Sequence, residues 1–358
     1  MELWKAKREL RRVKQQLLCI PELLTEPARR RRHDTAFEAS FPCHDGRVAL
    51  SDRIVLFLIF QPQGIAESVF DTCLHFISKG YAPFVVSNAP LSTNDVQRLK
   101  PVTWKALERP NFGYDFGGYR DGILSLRRWK IDPRFLCILN DSIWFPLYDD
   151  ETLLETAEAR VDAVSGTILR PDGDSPFLES YFYLIPRSVY RSDGFLSYWS
   201  NMKLTSNKYK VIRQGEKGFS RALITAGTDL IPAYPIEEFV ARLESVDDTF
   251  LRKTLQYAAF PDMHHTRRAK ELFETQSDTW RQQALDFIKG TIPKRLPYSA
   301  YPYAMTSLTS YPILKKAKQP VGYNWRKAMV EAWNAGDLPP PRKVVRDEVE
   351  NYLDTPKL

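Results

Sequence analysis

Three runs with no polar interruption, Ile54-Val55-Leu56-Phe57-Leu58-Ile59-Phe60, Phe84-Val85-Val86 and Phe135-Leu136-Cys137-Ile138-Leu139, constrain this chain more than any other feature. A strand apolar on both faces cannot border solvent, so each run reads as an interior strand of a sheet covered on two sides. Helical spacing separates them. Val69, Phe70, Cys73, Leu74 and Ile77 lead from the first run to the second, a short helix is expected at 91–99, and Val102 to Leu107 reads as another strand. Strand and helix alternate, and the solution this predicts is a doubly wound, mostly parallel sheet flanked by helices.

Between the strand near 107 and the run at 135 lies Asn111-Phe112-Gly113-Tyr114-Asp115-Phe116-Gly117-Gly118-Tyr119-Arg120-Asp121-Gly122. Four glycines in this stretch permit tight turns and close backbone approach. A helix starting near Gly117 would present free N–H groups to an anion such as a pyrophosphate, and Arg120 is placed to pair with a phosphate. The strand at 135–139 ends in Asn140-Asp141-Ser142. Ligands of open α/β sheets gather at such carboxyl ends, which makes Asp141 the candidate metal carboxylate and Asn140 and Ser142 candidate polar contacts. Asp115 is a candidate for the nucleotide base or ribose, and Asn111 for positioning the loop.

Further along, a helix at about 150–160, a strand at 163–167, a strand at 181–185 and a helix at 188–202 are expected. Gly215 to Gly227 reads as a loop and a helix that Ser220 or a neighbour caps. The pattern from 247 to 289 is helical, and the Pro- and Tyr-rich tail after Pro293 is expected to wrap the domain. The divisions are 1–50, a basic helix and linker; 51–246, with a donor half 51–148 and an acceptor half 149–246; and 247–358, a helical extension packed on that domain. With 43% hydrophobic residues in 358, the chain can fill such a core.

Charge is unevenly spread. The net charge is +7, and residues 1–32 hold ten basic side chains against four acidic ones. The body is therefore nearly neutral, which argues against a nucleic-acid-binding domain. Leu3, Ala6, Leu10, Val13, Leu17 and Ile20 form a helical stripe that Pro21 would end. This helix could dock on its own domain, contact an anionic membrane surface or associate with a second copy. Residues 25–50, with four consecutive arginines and no period, read as a linker. No apolar run approaches the ~20 residues of a membrane span, and the first residues lack a signal-peptide pattern, so the expected location is the cytoplasm. Cys19, Cys43, Cys73 and Cys137 show no Cys-x-x-Cys spacing and are expected to be reduced; the isolated histidines offer no zinc site. A Gly-x-Ser-x-Gly elbow, a P-loop and a metalloprotease helix are all missing.

The segment Asn111–Gly122, Leu139 to Pro146, Glu179-Ser180-Tyr181-Phe182 and Gly215-Glu216-Lys217-Gly218 resemble the rhamnan synthesis protein F family over roughly residues 52–330. The resemblance implies a GT-A-like glycosyltransferase fold, a sugar-nucleotide donor such as dTDP-rhamnose, and an acceptor glycan on a lipid carrier at the inner face of the cytoplasmic membrane. It places Asn111, Gly113, Tyr114, Asp115, Gly117, Gly118, Arg120, Asn140 and Ser142 in the donor site. GT-A enzymes commonly carry Asp-x-Asp where this chain has Asn140-Asp141-Ser142, which leaves one carboxylate for Mg²⁺ or Mn²⁺; one or two carboxylates with substrate phosphates and water can hold either ion. A general base for the acceptor hydroxyl is sought among Glu179, Asp193 and Glu216. Tyr114, Tyr119, Trp144, Tyr181 and Tyr183 are candidates to stack on sugars or to pack the core. The alternative function is a non-catalytic nucleotide- or carbohydrate-binding component of a polysaccharide assembly complex.

Overall fold

The computed structural model describes residues 20–173, 175–317 and 319–354. Its centre is an eight-stranded sheet made of β1 (Cys43–Asp45), β2 (Arg53–Ile59), β3 (Ala82–Ser87), β4 (Lys105–Glu108), β5 (Phe135–Asn140), β6 (Val164–Gly166), β7 (Phe182–Pro186) and β8 (Leu230–Pro232). The spatial order is β1-β4-β3-β2-β5-β7-β6-β8. β4, β3, β2 and β5 pair in parallel, with Arg53 to Leu58 in register with Phe135 to Asn140. β7 runs antiparallel to β5 and β6, and β8 is again parallel to β6. Six of the eight strands thus point one way, and the expected mixed α/β architecture is present, with two antiparallel exceptions that the apolar runs did not announce.

Alternation sorts the core into two layers. Val55, Phe57, Ile59, Val85, Cys137 and Leu139 face helix α2 (Glu67–Ser78) and the C-terminal helices. Ile54, Leu56, Leu58, Val86, Leu136 and Ile138 face α4 (Tyr114–Arg128), α5 (Asp193–Asn201) and α7 (Glu216–Thr225), with α3 (Thr93–Leu99) preceding β4 and α6 (Lys208–Gln214) preceding α7. Residues beyond 236 are mainly helical, ending in α8 (Lys343–Asp354), and the short strand Leu314–Lys315 pairs with Ile143–Trp144 directly after β5. Cys73 and Cys137 are buried free thiols and Cys43 is an exposed one.

One reading is corrected. The stretch 25–50 is not a linker: helix α1 (Ile20–Glu38) takes in Pro27 and runs through the four arginines, and β1 joins the sheet edge antiparallel to β4. Its anchors are polar and distant in sequence. His33 Nε2 lies 2.8 Å from Asp121 Oδ2, Arg30 Nε donates to Leu204 O at 2.6 Å, and Ser206 N donates to Glu26 at 3.2 Å. No apolar period could have shown this. The stripe from Leu3 to Leu17 lies outside the described residues. No described helix is long and apolar enough to cross a membrane.

Candidate functional site

The chain leaves β2 toward β3 and β4 on one side and returns to β5 on the other, so a topological switch point opens between the carboxyl ends of β2 and β5. Asp141 occupies it. Its backbone N–H donates to Leu58 O at 3.0 Å, while Oδ2 accepts from Phe60 N at 2.9 Å and from the Gln61 side chain at 2.8 Å. Among the described residues nothing donates to Oδ1. The carboxylate is thus oriented by the β2 exit and half-buried, with one oxygen left for a ligand.

Asn140 is internal to the site. Its amide donates to Tyr119 OH at 3.0 Å and to Asp115 Oδ2 at 3.3 Å, and its Oδ1 accepts from the N–H and hydroxyl of Ser142. Tyr119 OH donates to Ser180 O at 2.8 Å, and Ser180 N donates to Glu216 Oε1 at 2.8 Å. A chain of hydrogen bonds therefore joins β5 to the first turn of α7 and brings Asp115, Asn140 and Glu216 together. Tyr114, Asp115, Ser180, Lys208, Ile212 and Glu216 line a cavity of about 160 Å³.

Electrostatics single out Asp115. Water reaches it, but it stands in a recess whose walls desolvate it. That desolvation, with repulsion from Asp141 and Glu216 and against the pull of Lys208, raises its carboxyl from 3.8 to about 6. A raised carboxyl value means that folding favours the protonated form: this contribution is complete below the ordinary value and is lost as pH rises through about 6. Asp115→Asn should therefore be more stable than the parent by ~1 kcal/mol at pH 8, a figure reduced from the full linkage value because solvent screens the group, and should show no advantage near pH 4. Urea unfolding of both proteins at the two pH values checks this; equal gaps at both would discount the repulsion.

The glycine-rich segment is held by Arg109, whose side chain is wholly buried. Nε lies 2.7 Å from Asp121 Oδ2, Nη1 donates to Asn88 Oδ1 and Nη2 to Phe112 O, each at 2.5 Å. Asn88 Nδ2 in turn donates to Tyr114 O at 3.2 Å. Burial pushes the Asp121 carboxyl up, yet Arg109, His33 and Arg120 together hold it below its ordinary value. Gly113 (φ 84°) and Tyr114 (φ 51°) are both left-handed, a conformation that is costly for a tyrosine and that surrounding contacts must impose. α4 begins at Tyr114 rather than near Gly117, with no side chain capping its first turn.

Two of the glycines play a part other than the expected one. A Cβ on Gly117 would lie 2.1 Å from Phe112 O, and one on Gly118 2.1 Å from Leu58 Cδ1, so both serve the close approach of α4 to its own loop and to β2. Arg120 points to α1, with Nη1 3.0 Å from Asp34 and 3.2 Å from Asp121, and does not line the cavity. Asn111 is exposed at the head of the loop.

The three base candidates separate. Glu216 is the first residue of α7, not part of a flexible loop; Gly215 precedes it because a Cβ there would meet Phe116 and Val211 O at 2.4 Å. Ser220 is inside that helix and accepts from Leu178 N rather than capping. Glu179 is buried and accepts from Tyr298 OH at 2.9 Å, Tyr181 OH at 3.1 Å and Lys315 Nζ at 3.3 Å, a satisfied structural carboxylate. Asp193 is exposed at the start of α5, two residues after Arg191, which pairs with Asp132. Because β7 is antiparallel to β5, that is the opposite end of the strands from Asp141. Tyr119, Trp144, Tyr181 and Tyr183 are core residues, and Tyr114 alone of the five aromatics faces the cavity. Gln61, Asn88, Arg109, Ser180 and Lys208 were not foreseen; Asn88, a polar residue just past a buried strand, carried the one usable signal. Among the described residues no group of three or more His, Cys, Asp and Glu side chains is arranged to hold a metal ion.

The family described as Rhamnan synthesis protein F matches over residues 84–231, which spans β3 to β8 and includes Asp115, Asp141 and Glu216. A protein of Sinorhizobium fredii (strain NBRC 101917 / NGR234), described as uncharacterized protein y4gN, is 30% identical over 361 residues, covering 96% of this chain and 91% of that protein.

Proposed function

This chain belongs to the rhamnan synthesis protein F family, whose name ties it to polysaccharide synthesis, and from that premise we propose that it is a GT-A-like glycosyltransferase moving a sugar, rhamnose first among candidates, from a nucleotide donor to a growing bacterial surface glycan. The observation that carries the reading is Asp141 at the β2–β5 switch point, one oxygen held by the β2 exit and the other open, with Glu216 joined to the same site through Ser180. The nucleotide lies along the carboxyl ends of β2 and β3, and its diphosphate reaches the uncapped first turn of α4.

A single carboxylate with an open oxygen suits Mg²⁺ or Mn²⁺ carried in by the diphosphate, and such an ion would neutralise charge on the departing nucleotide. Asp115, raised to about 6, contacts the donor and would be relieved by that positive charge. Glu216 accepts the proton of the acceptor hydroxyl as its oxygen forms a bond to the sugar's anomeric carbon; the bond from that carbon to the phosphate breaks, and the nucleoside diphosphate leaves with the electron pair.

Thermal stabilisation by dTDP, UDP and GDP, each with and without Mn²⁺ or Mg²⁺, tests the reading. One nucleotide should raise the melting temperature by several degrees in a metal-dependent way, and Asp141→Ala should abolish the rise. Silence with every nucleotide would remove the proposal. Binding without turnover of any sugar nucleotide would favour the second reading, a non-catalytic binding component, for which Asn140 in place of a second carboxylate speaks.

A further inference from the structure

The basic run of α1 and two grooves along α5, α6 and α7 play no part in the proposed transfer. One groove, of about 720 Å³, is lined by Arg213, Lys217 and Arg221, and among the described residues Asp172 is the one carboxylate in its wall, 2.7 Å from Lys217. The other, of about 660 Å³, is mainly apolar, with Tyr198, Met202 and Ala222 in its wall and Lys203 at its edge. Gln214, Gly218 and Arg221 line both, so the two are continuous. Arg213 and Arg221 have no carboxylate partner among the described residues.

Exposed apolar side chains stand on the same helices. Ile212 is 42% exposed and Ile224, one turn beyond Arg221, is 40% exposed. The surface extends to α1: the hydrogen bonds from Arg30 to Leu204 and from Ser206 to Glu26 set that helix beside the segment following Lys203, with Arg29, Arg31 and Arg32 exposed. A face that combines arginine and lysine with protruding isoleucine and an apolar groove complements one kind of surface, in which negative headgroups overlie hydrocarbon. Nucleic acid would match the charge but leave the isoleucines and the apolar groove unused.

We propose that α6, α7 and the exposed arginines of α1 form a docking face for an anionic phospholipid bilayer, with Ile212 and Ile224 entering the headgroup region. Ile212 also lines the cavity that holds Asp115 and Glu216, so docking presents the mouth of that cavity to the membrane. The inference stands apart from the transferase reading, since Arg213, Lys217, Arg221 and Ile224 lie outside that cavity and take no part in the chemistry.

Co-sedimentation of the full chain with vesicles of phosphatidylcholine alone, and with added phosphatidylglycerol, is the test. Binding is expected to the anionic vesicles only and to weaken with salt. The triple variant Arg213→Gln, Lys217→Gln, Arg221→Gln should bind roughly a hundredfold more weakly, given the typical gain per basic residue near such a surface. Ile224→Ser, outside the Asp115 cavity, should also weaken binding although charge is unchanged. Unaltered vesicle binding by the triple variant would overturn the proposal, as would binding that Ile224→Ser leaves intact and that duplex DNA competes away. Both variants should keep the parent's melting temperature and nucleotide response, which separates loss of docking from misfolding and from failure of the transferase reading.

Discussion

Replacing Arg109 with methionine is expected to lower the unfolding free energy by ~3–5 kcal/mol, because the change leaves a buried carboxylate without its main partner. Arg109 and Asp121 side chains are both fully buried and 2.7 Å apart. Methionine fills much of the volume but donates nothing, so Asp121 keeps only His33 and Arg120, and Asn88 Oδ1 and the Phe112 carbonyl lose donors as well. Against a total stability of ~5–15 kcal/mol this is a large fraction. Asp121→Asn removes the charge that makes the loss so costly, so the double variant should be less damaged than the two single effects added together, a coupling of at least ~1 kcal/mol. Urea denaturation of the four proteins gives the cycle. A cost under ~1 kcal/mol for Arg109→Met would show that the network is not what holds the glycine-rich segment. The same segment carries Tyr114 and Asp115, so nucleotide binding should weaken in step with stability.

That network also marks the limit of what could be read from the chain. β2, β3 and β5 were legible because burial on both faces leaves a run without polar residues, and Asp141 was legible because a polar triplet after such a run has one place to go. Arg109 was not. An arginine after a short strand usually snorkels to solvent, and its partner Asp121 sits inside a helical pattern twelve residues on. Helix α1 escaped for a similar reason: its contacts with Asp121 and Leu204 are single polar bonds across 88 and 174 residues, which leave no periodicity. The glycines misled in the opposite way. Tight turns and backbone approach to a pyrophosphate were the expected reasons for Gly117 and Gly118, whereas the packing of α4 on its own loop and on β2 explains them, and sequence alone does not tell these uses of a missing Cβ apart. Gly215 before Glu216 read as a loop for the same cause, though it allows α7 to start against Phe116.

Glu216→Gln is expected to reduce turnover by ~10²–10⁴-fold, the usual contribution of a positioned general base, while leaving donor binding nearly unchanged. Glutamine keeps the side-chain oxygen that accepts from Ser180 N, so the link from α7 to Tyr119 and Asn140 survives and the fold should be unaffected. It cannot take a proton. Removing one negative charge also lowers the repulsion on Asp115, whose carboxyl is raised partly by Glu216, so that group should ionise at lower pH in the variant. The two effects pull apart in a measurable way: kcat falls at every pH, while nucleotide-induced stabilisation persists, with its pH dependence displaced downward. Asp141→Ala should show the converse, losing nucleotide stabilisation first. Parallel kcat and thermal-shift profiles for the two variants across pH 5–8 decide the assignment. If Glu216→Gln retains turnover, the proton acceptor must be another group, and Asp115, already poised near neutrality, is the next carboxylate in the cavity.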